Sequence, residues 1–351
     1  MLFDPRPKEK REELFDREKE LSELMHSLVN YPITVLLGIR RTGKSSIIRV
    51  SLNESDVVGI YIDVRRAMRR GRISDEKLKT QLLGTIRRVK IKEISLPGIK
   101  LEPISIDLPD IFDVLNSYGK KRKRVVVLAF DEAQYFRFYG ARGGEDFLLA
   151  VAYSYDNHEW LRFLFSGSEV GLLHDFLGFE DSKAPLFGRI YNEITLEPFP
   201  RDLSVEFLKE GFREVKIDVP EEHLEEAVEN LDGIPGWLVE YGYHYVHTKD
   251  HRKALERTFR SAQSLIRSEL AELEKRSERY LEILKAISLG MNRWSKIKEY
   301  VEVKYGPITN ARLSALLKNL EKMSWIKAEL QNGKKTYKIV DPVVEKVIRG
   351  F

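Results

Sequence analysis

The sequence predicts an α/β protein: a doubly wound parallel sheet, then a helical segment, then a winged helix-turn-helix module. Three observations carry this. Short apolar runs that suit buried strands recur through the first half, at Ile33–Leu37, Val57–Arg65, Val125–Phe130 and Leu161–Ser168. From Arg201 to about Lys275 apolar residues fall at i, i+3, i+4 spacing, the stripe of amphipathic helices. From Arg279 the pattern changes to three helices and a hairpin. A chain of 351 residues is long for one hydrophobic core, and the divisions fall at 1–198, 199–275 and 276–351.

Composition bounds the chemistry. Hydrophobic residues make up 42% and charged residues 32%, which fits a soluble globular protein. No apolar run approaches the roughly 18 residues a bilayer-spanning helix needs, and the opening "MLFDPRPKEKREELF" has no apolar signal-peptide core. No membrane partner is expected. Cysteine is absent, which excludes disulfides and thiolate metal sites and makes a cytoplasmic location the default expectation.

Taken in order, "FDREKELSEL" reads as a helix start with Asp16 as N-cap. The apolar strand Ile33–Leu37 follows and runs directly into "GIRRTGKS", Gly38 to Ser45, with the spacing G-x-x-x-x-G-K-S. That pattern is a phosphate-binding loop: backbone N–H groups cradle phosphate oxygens, Lys44 reaches the β- and γ-phosphates, and Ser45 offers a hydroxyl to Mg2+. The binding set is Gly38, Ile39, Arg40, Arg41, Thr42, Gly43, Lys44, Ser45 and Ser46. Lys44 to Leu52 reads as a helix whose N-terminal dipole favours the phosphate. The next strand is Val57–Arg65, and Ile99–Leu108 alternates with period two like an exposed hairpin arm.

The strand Val125–Phe130 ends in Asp131–Glu132. A carboxylate at the carboxyl end of such a strand sits where ligands bind in doubly wound sheets. Asp131 is the expected Mg2+ ligand with Ser45, and Glu132 the group that orients and polarises the attacking water. The strand Leu161–Ser168 turns polar at Ser166 and Ser168, where a hydroxyl could bond the water or the γ-phosphate; plain turn chemistry also explains Ser-Gly-Ser. No Asn-Lys-x-Asp segment is present to read guanine, so ATP is preferred to GTP. Nor is any acceptor pocket legible that would suggest a small-molecule kinase.

These blocks resemble the archaeal ATPase family, within the AAA+-related STAND group of signal-transduction ATPases. The resemblance rests on "LFDREKELSEL", "GIRRTGKSSIIR", "VVVLAFDEAQ", "FLFSGSEVGLL", "APLFGRIYNEITLEPF", "LDGIPGWL" and "YKIVDPVV", and it runs nearly the whole chain. It departs in a minor way at Ser45, where Thr is common and either hydroxyl can ligate Mg2+. The resemblance implies a P-loop ATPase with a helical lid and a C-terminal winged helix. It carries Arg17 over as a base or ribose contact, Arg189 as the guanidinium for the γ-phosphate, in cis or from a neighbouring subunit, and Pro235 as an adenine contact. Each has a plain structural alternative: a helix start, a surface salt bridge and a helix-opening proline.

The tail is basic. From Arg276 to Phe351 there are 16 Lys/Arg and 8 Asp/Glu, a balance of +8, against −4 for the remainder (43 basic, 47 acidic). Its helices are read in "RYLEILKAISLG", closed by Gly290, in "RWSKIKEYVEV" and in "TNARLSALLKNLEKMSWI". In the third, Ala311, Ala315, Leu316 and Leu320 are expected inward, and Arg312, Lys318, Asn319 and Lys322 outward. "KAELQNGKKTYKIV" is a hairpin around Asn332-Gly333 with Lys334 and Lys335 beside the turn. Such a module contacts duplex DNA or docks on protein. The whole is therefore expected to bind ATP and Mg2+, hydrolyse ATP as a conformational switch, and act through its tail. The rival reading is an ATP-gated DNA-binding regulator in which hydrolysis is incidental; oligomerisation is left open.

Overall fold

The computed structural model describes residues 1–88, 107–331 and 333–350. The chain divides into two units: Pro7–Leu196, and a second comprising Met1–Arg6 with Glu197–Phe351. Elements of the first, in chain order, are α1 (Glu18–Asn30), β1 (Ile33–Leu37), α2 (Lys44–Glu54), β2 (Val58–Asp63), the short strands β3 (Met68–Arg69) and β4 (Arg72–Ile73), and α3 (Asp75–Arg88). They continue as α4 (Leu108–Arg122), β5 (Val126–Asp131), α5 (Glu145–Asn157), β6 (Leu161–Gly167), α6 (Val170–Leu177) and β7 (Asn192–Thr195).

Five strands form one parallel sheet in the order β2-β5-β6-β1-β7. Both faces are covered, which is why the central strands are apolar throughout rather than alternating. Ile60, Leu128, Phe130, Phe163 and Phe165 face α3, α4, α5 and α6 through Leu78, Phe112, Phe147 and Leu173. Leu36, Val127, Ala129, Leu164 and Ile194 face α1 and α2 through Leu21, Leu24, Leu28, Ile47 and Ile48. The aromatic packing is close: Phe136 stacks on Phe147 with ring centres 3.8 Å apart, and Phe147 meets Phe130 edge-on.

The second unit contains α7 (Arg201–Glu214), α8 (Glu221–Leu231), α9 (Pro235–Thr248), α10 (His251–Glu274), α11 (Arg279–Ser288), α12 (Trp294–Tyr305) and α13 (Asn310–Lys322). The antiparallel pair β8 (Ile326–Gln331) and β9 (Lys334–Ile339) and a last helix, α14 (Pro342–Arg349), complete it. The three helices α11 to α13 followed by the hairpin are the winged helix-turn-helix arrangement. Asp341 caps α14 by accepting from the Val343 and Val344 N–H groups, and also accepts from the indole Nε1 of Trp237 on α9 at 3.0 Å. One carboxylate thus ties two helices that lie a hundred residues apart in sequence.

Several sequence expectations need correction. Asp16 is not the N-cap of α1: it stands one residue earlier in a left-handed turn at φ 43°, and Arg17 takes the position without a side-chain cap. The second strand stops at Asp63, whose carboxylate accepts from Arg65 N–H and turns the chain into a short 3-10 helix, Val64–Ala67. Ala311 and Ala315 are exposed; Leu313, Leu316, Leu317 and Leu320 face inward, because this larger apolar stripe has more area to bury. Of the expected hairpin arm Ile99–Leu108, residues 99–106 lie outside those described, and Leu108 opens α4 behind its N-cap Asp107. Asn332 of the expected wing turn also lies outside them; Gln331 pairs with Lys334 around Gly333, whose φ is 72°. Among the described residues, no helix is long and apolar enough to cross a membrane.

Phe3 is fully buried among α7 and α9, its ring edge-on to Phe212 at 4.8 Å and to Phe207 at 5.9 Å. A Cβ on Gly211 or Gly242 would come within 2.2 or 2.3 Å of that ring, so two helix glycines make its socket. Replacing Phe3 by Ala leaves a cavity where the ring was and should lower stability by about 3–5 kcal/mol. Denaturant unfolding of the full chain measures it; an unchanged midpoint would show that the N-terminal segment contributes nothing to the helices it enters.

Candidate functional site

The phosphate loop joins β1 to α2 through residues that the backbone path requires. Gly43, the N-cap of α2, has φ 96°, a region costly for side chains with a Cβ. Gly38 has φ 150°, and a Cβ there would lie 2.8 Å from the Leu196 carbonyl oxygen. Arg41 is left-handed at φ 70°. Thr42 Oγ1 donates to the Ile39 carbonyl at 2.9 Å, closing the loop on itself. The Lys44 ammonium folds across the same loop and donates to the carbonyls of Gly38 (2.7 Å) and Ile39 (2.8 Å). Burial pushes Lys44 below its usual range, against the attraction of Glu132 and Asp131. Ser46 accepts from the Lys8 N–H.

Asp131, at the carboxyl end of β5, is 1% exposed and accepts from four donors. Ser45 Oγ and the Tyr61 hydroxyl each donate to Oδ2 at 2.6 Å. Ser166 Oγ donates to Oδ1 at 2.5 Å, and the Glu132 N–H to the same oxygen at 3.1 Å. Burial pushes this carboxyl up, but the hydroxyls of Ser166, Ser45 and Tyr61 and the Lys44 charge outweigh it and hold the group below the usual carboxylate range. Glu132 follows with a left-handed φ of 58°, which turns its side chain away from the strand direction. Its Oε2 accepts from Gln134 Nε2 (2.6 Å), Ser168 Oγ (2.8 Å) and Ser168 N–H (3.3 Å).

A second buried acid, Glu169, joins the segments. Its Oε1 pairs with Arg40 of the phosphate loop at 3.0 Å, and its Oε2 with Arg137, from the turn after β5, at 3.2 Å. The phosphate loop, the Asp131–Glu132 turn and the end of β6 are therefore linked by polar contacts. Chemically, a glycine-bearing loop and one ammonium lie beside two carboxylates and several hydroxyls, a set suited to a phosphorylated ligand.

The structure brings Lys44, Ser45, Asp131, Glu132 and Ser166 of the expected set together. Arg17 is buried and ion-paired with Glu20 at 2.8 Å. Arg189 pairs with Asp156 of α5 at 2.7 Å, also donates to the Pro185 carbonyl, and lies over the Tyr155 ring. Pro235 belongs to the second unit, where it is the first residue of α9. Sequence reasoning missed Tyr61, Gln134 and Glu169. The signals were slight: a hydroxyl-bearing aromatic within an apolar strand, and a charge directly after Ser-Gly-Ser.

Residues 14–241 match a family described as an ATPase domain predominantly from Archaea, and residues 274–340 match the MCM protein C-terminal winged helix-turn-helix domain. Comparison with curated proteins gives no match. Among solved structures, a Walker-type ATPase of Pyrococcus abyssi is 51% identical over 99% of this chain and 100% of its own, with a TM-score of 0.92. The ORC2 protein of Aeropyrum pernix is 15% identical in its ADPNP–ADP complexes, over 99% of this chain and 97% of its own, with a TM-score of 0.68. Its ADP form gives 14% and 0.62, with the same coverage. At those identities the ORC2 likeness concerns the fold.

Glu169 supplies a prediction about this arrangement. Replacing it by Ala removes the carboxylate shared by two guanidinium groups that are themselves only 20–26% exposed. Stability should fall by about 1–3 kcal/mol, less than for a fully buried pair because both arginines can partly rehydrate. Chemical denaturation checks this; a variant as stable as the wild type would make the three-way pairing energetically neutral.

Proposed function

The chain belongs to the family of ATPase domains found predominantly in Archaea, and from that premise we propose that it is a Mg2+-dependent ATP hydrolase working as a nucleotide-driven switch, with its output through the winged helix. The observation that carries the reading is the 2.6 Å bond from Ser45 to Asp131, which joins the phosphate loop to the carboxylate strand.

In this reading the N–H groups of residues 38–46 and the dipole of α2 receive the phosphates. Lys44 exchanges the carbonyls of Gly38 and Ile39 for β- and γ-phosphate oxygens. Arg17 is assigned to the base or ribose. Glu132 orients the attacking water with the carboxylate that Gln134 and Ser168 steady, and Ser166 fixes Asp131 alongside. Arg189, once released from Asp156, stabilises charge on the γ-phosphate, within the chain or across a subunit contact. Ser45 and Asp131 would hold Mg2+. They fit it: both are hard oxygen donors, 2.6 Å apart, between the phosphate loop and a strand end. Bound there, the ion neutralises phosphate charge.

Switching needs a difference in affinity between two conformations and a path to the output. The Trp237–Asp341 bond supports such a path, because it fastens α9 to the capped end of α14 behind the wing. The rival, an ATP-gated DNA-binding regulator, is favoured by the exposed Arg312, Lys318, Lys334 and Lys335 on the third helix and wing.

Two variants separate binding from turnover. Lys44→Ala should abolish ATP binding, read by calorimetry. Glu132→Gln should bind nearly as wild type yet hydrolyse at least about 10²-fold more slowly in single turnover, for loss of the group that positions water. Wild-type hydrolysis by the Glu132 variant would move the role to another residue. If output survives in the Glu132 variant and is lost with Lys44, the regulator reading prevails.

DNA binding has its own readout. If four to five of Arg312, Lys318, Lys322, Lys334 and Lys335 meet phosphates, the log–log salt slope of duplex affinity should be about −4, at roughly −0.9 per phosphate. Replacing Lys334 and Lys335 together should flatten it by about two units and weaken all sequences alike. Fluorescence anisotropy of the full chain across a salt series measures this. Absence of binding at low salt would leave the module to protein docking.

A further inference from the structure

We propose that Tyr61 is a positioning residue of the ATPase site, fixing Asp131 so that the site takes up its divalent cation; this rests on the metal reading above. Asp131 offers about four lone-pair directions, and all are taken: Ser166 and the Glu132 N–H on Oδ1, Ser45 and Tyr61 on Oδ2. The donors differ in how firmly they are held. Ser45 carries its hydroxyl in the first turn of α2, on the phosphate loop rather than on the sheet. Tyr61 and Ser166 stand on β2 and β6, the two strands hydrogen-bonded to either side of β5. Tyr61 lies in register with Ala129, two residues before Asp131, and its long side chain spans that offset.

The ring is clamped as well. The Arg49 guanidinium of α2 lies 4.8 Å from its centre and is itself paired with Glu9 at 2.9 Å. A cation over the ring face makes the phenol a stronger donor and keeps the hydroxyl aimed at Oδ2. When the site takes a cation, Ser45, itself an expected ligand, is the donor that gives way, while Tyr61 and Ser166 keep the carboxylate oriented. This is the role that outer hydrogen-bond partners play at metal ligands, where their loss typically costs 10–100-fold in metal affinity. The sign matters. A Tyr61 that merely competed with the cation would weaken its binding, and removing the hydroxyl would then tighten it.

The test is ADP binding to the full chain at stepped Mg2+, from chelator to millimolar, for wild type and Tyr61→Phe. With chelator the two should bind ADP nearly alike, because the Tyr61 hydroxyl donates to Asp131 and not to Lys44 or the loop backbone that receives the phosphates. With Mg2+, the concentration giving half of the affinity gain should rise about 10-fold or more in Tyr61→Phe. Arg49→Met, which keeps the hydroxyl but frees the ring, should fall between the two and decides the matter should Tyr61→Phe fail to fold. An unchanged or lowered half-saturation, with a wild type that responds to Mg2+, overturns the role of Tyr61 alone. A wild type indifferent to Mg2+ sinks the metal reading and this inference with it.

Discussion

The site of this ATPase depends on one buried charge. An unpaired carboxylate in a protein interior is unsustainable, because water solvates it far better than any apolar surrounding. Asp131 stays ionised inside the molecule because three elements deliver hydroxyls to it: β2 through Tyr61, β6 through Ser166, and the start of α2 through Ser45. Hydrogen bonds to a charged acceptor contribute about 1.5–3 kcal/mol each, roughly double those between neutral groups. They exist only if β5 lies between β2 and β6, as the strand order provides. The sheet and the site are thus a single arrangement: a change in strand order would remove the donors and leave the charge stranded.

The same logic governs the next layer. Glu169 is buried where β6 ends, and its two oxygens are met by arginines from separate segments, one in the phosphate loop and one beyond Glu132. Glu132 leaves its strand in a left-handed turn and is met by Gln134 and Ser168. Each acid draws donors from a neighbouring segment, so the loop, the carboxylate turn and the end of β6 are held in common. A site that binds a nucleotide for hydrolysis gains from that shared fixation, since small displacements there cost rate steeply.

The second unit is organised by apolar fit and one polar tie. Phe3 fills a socket that two helix glycines leave open, which joins the first residues of the chain to helices two hundred positions later. Asp341 caps α14 and accepts from Trp237. The short segments "LDGIPGWL" and "YKIVDPVV" look unrelated in the sequence, yet they meet through this carboxylate. α14 is held down by Val343, Val344, Val347 and Ile348 once its first turn is capped.

What the sequence determined by itself is whatever rests on neighbours along the chain. β1 is found at the residues expected from its apolar run, the loop at its G-x-x-x-x-G-K-S spacing, α2 directly after it, and Asp131–Glu132 at the end of an apolar strand, because each follows from side-chain periodicity or from a turn a few residues long. The helical stretch and the winged helix were legible for the same reason. The tertiary structure alone decided the strand order, and with it Tyr61 and Ser166 on Asp131. It also decided the partnership of Glu169 with Arg40 and Arg137, the inward face of α13, and the place of Phe3. These contacts join residues 30 to more than 200 positions apart, and burial energy depends on which surfaces meet in space, a property that local spacing does not encode.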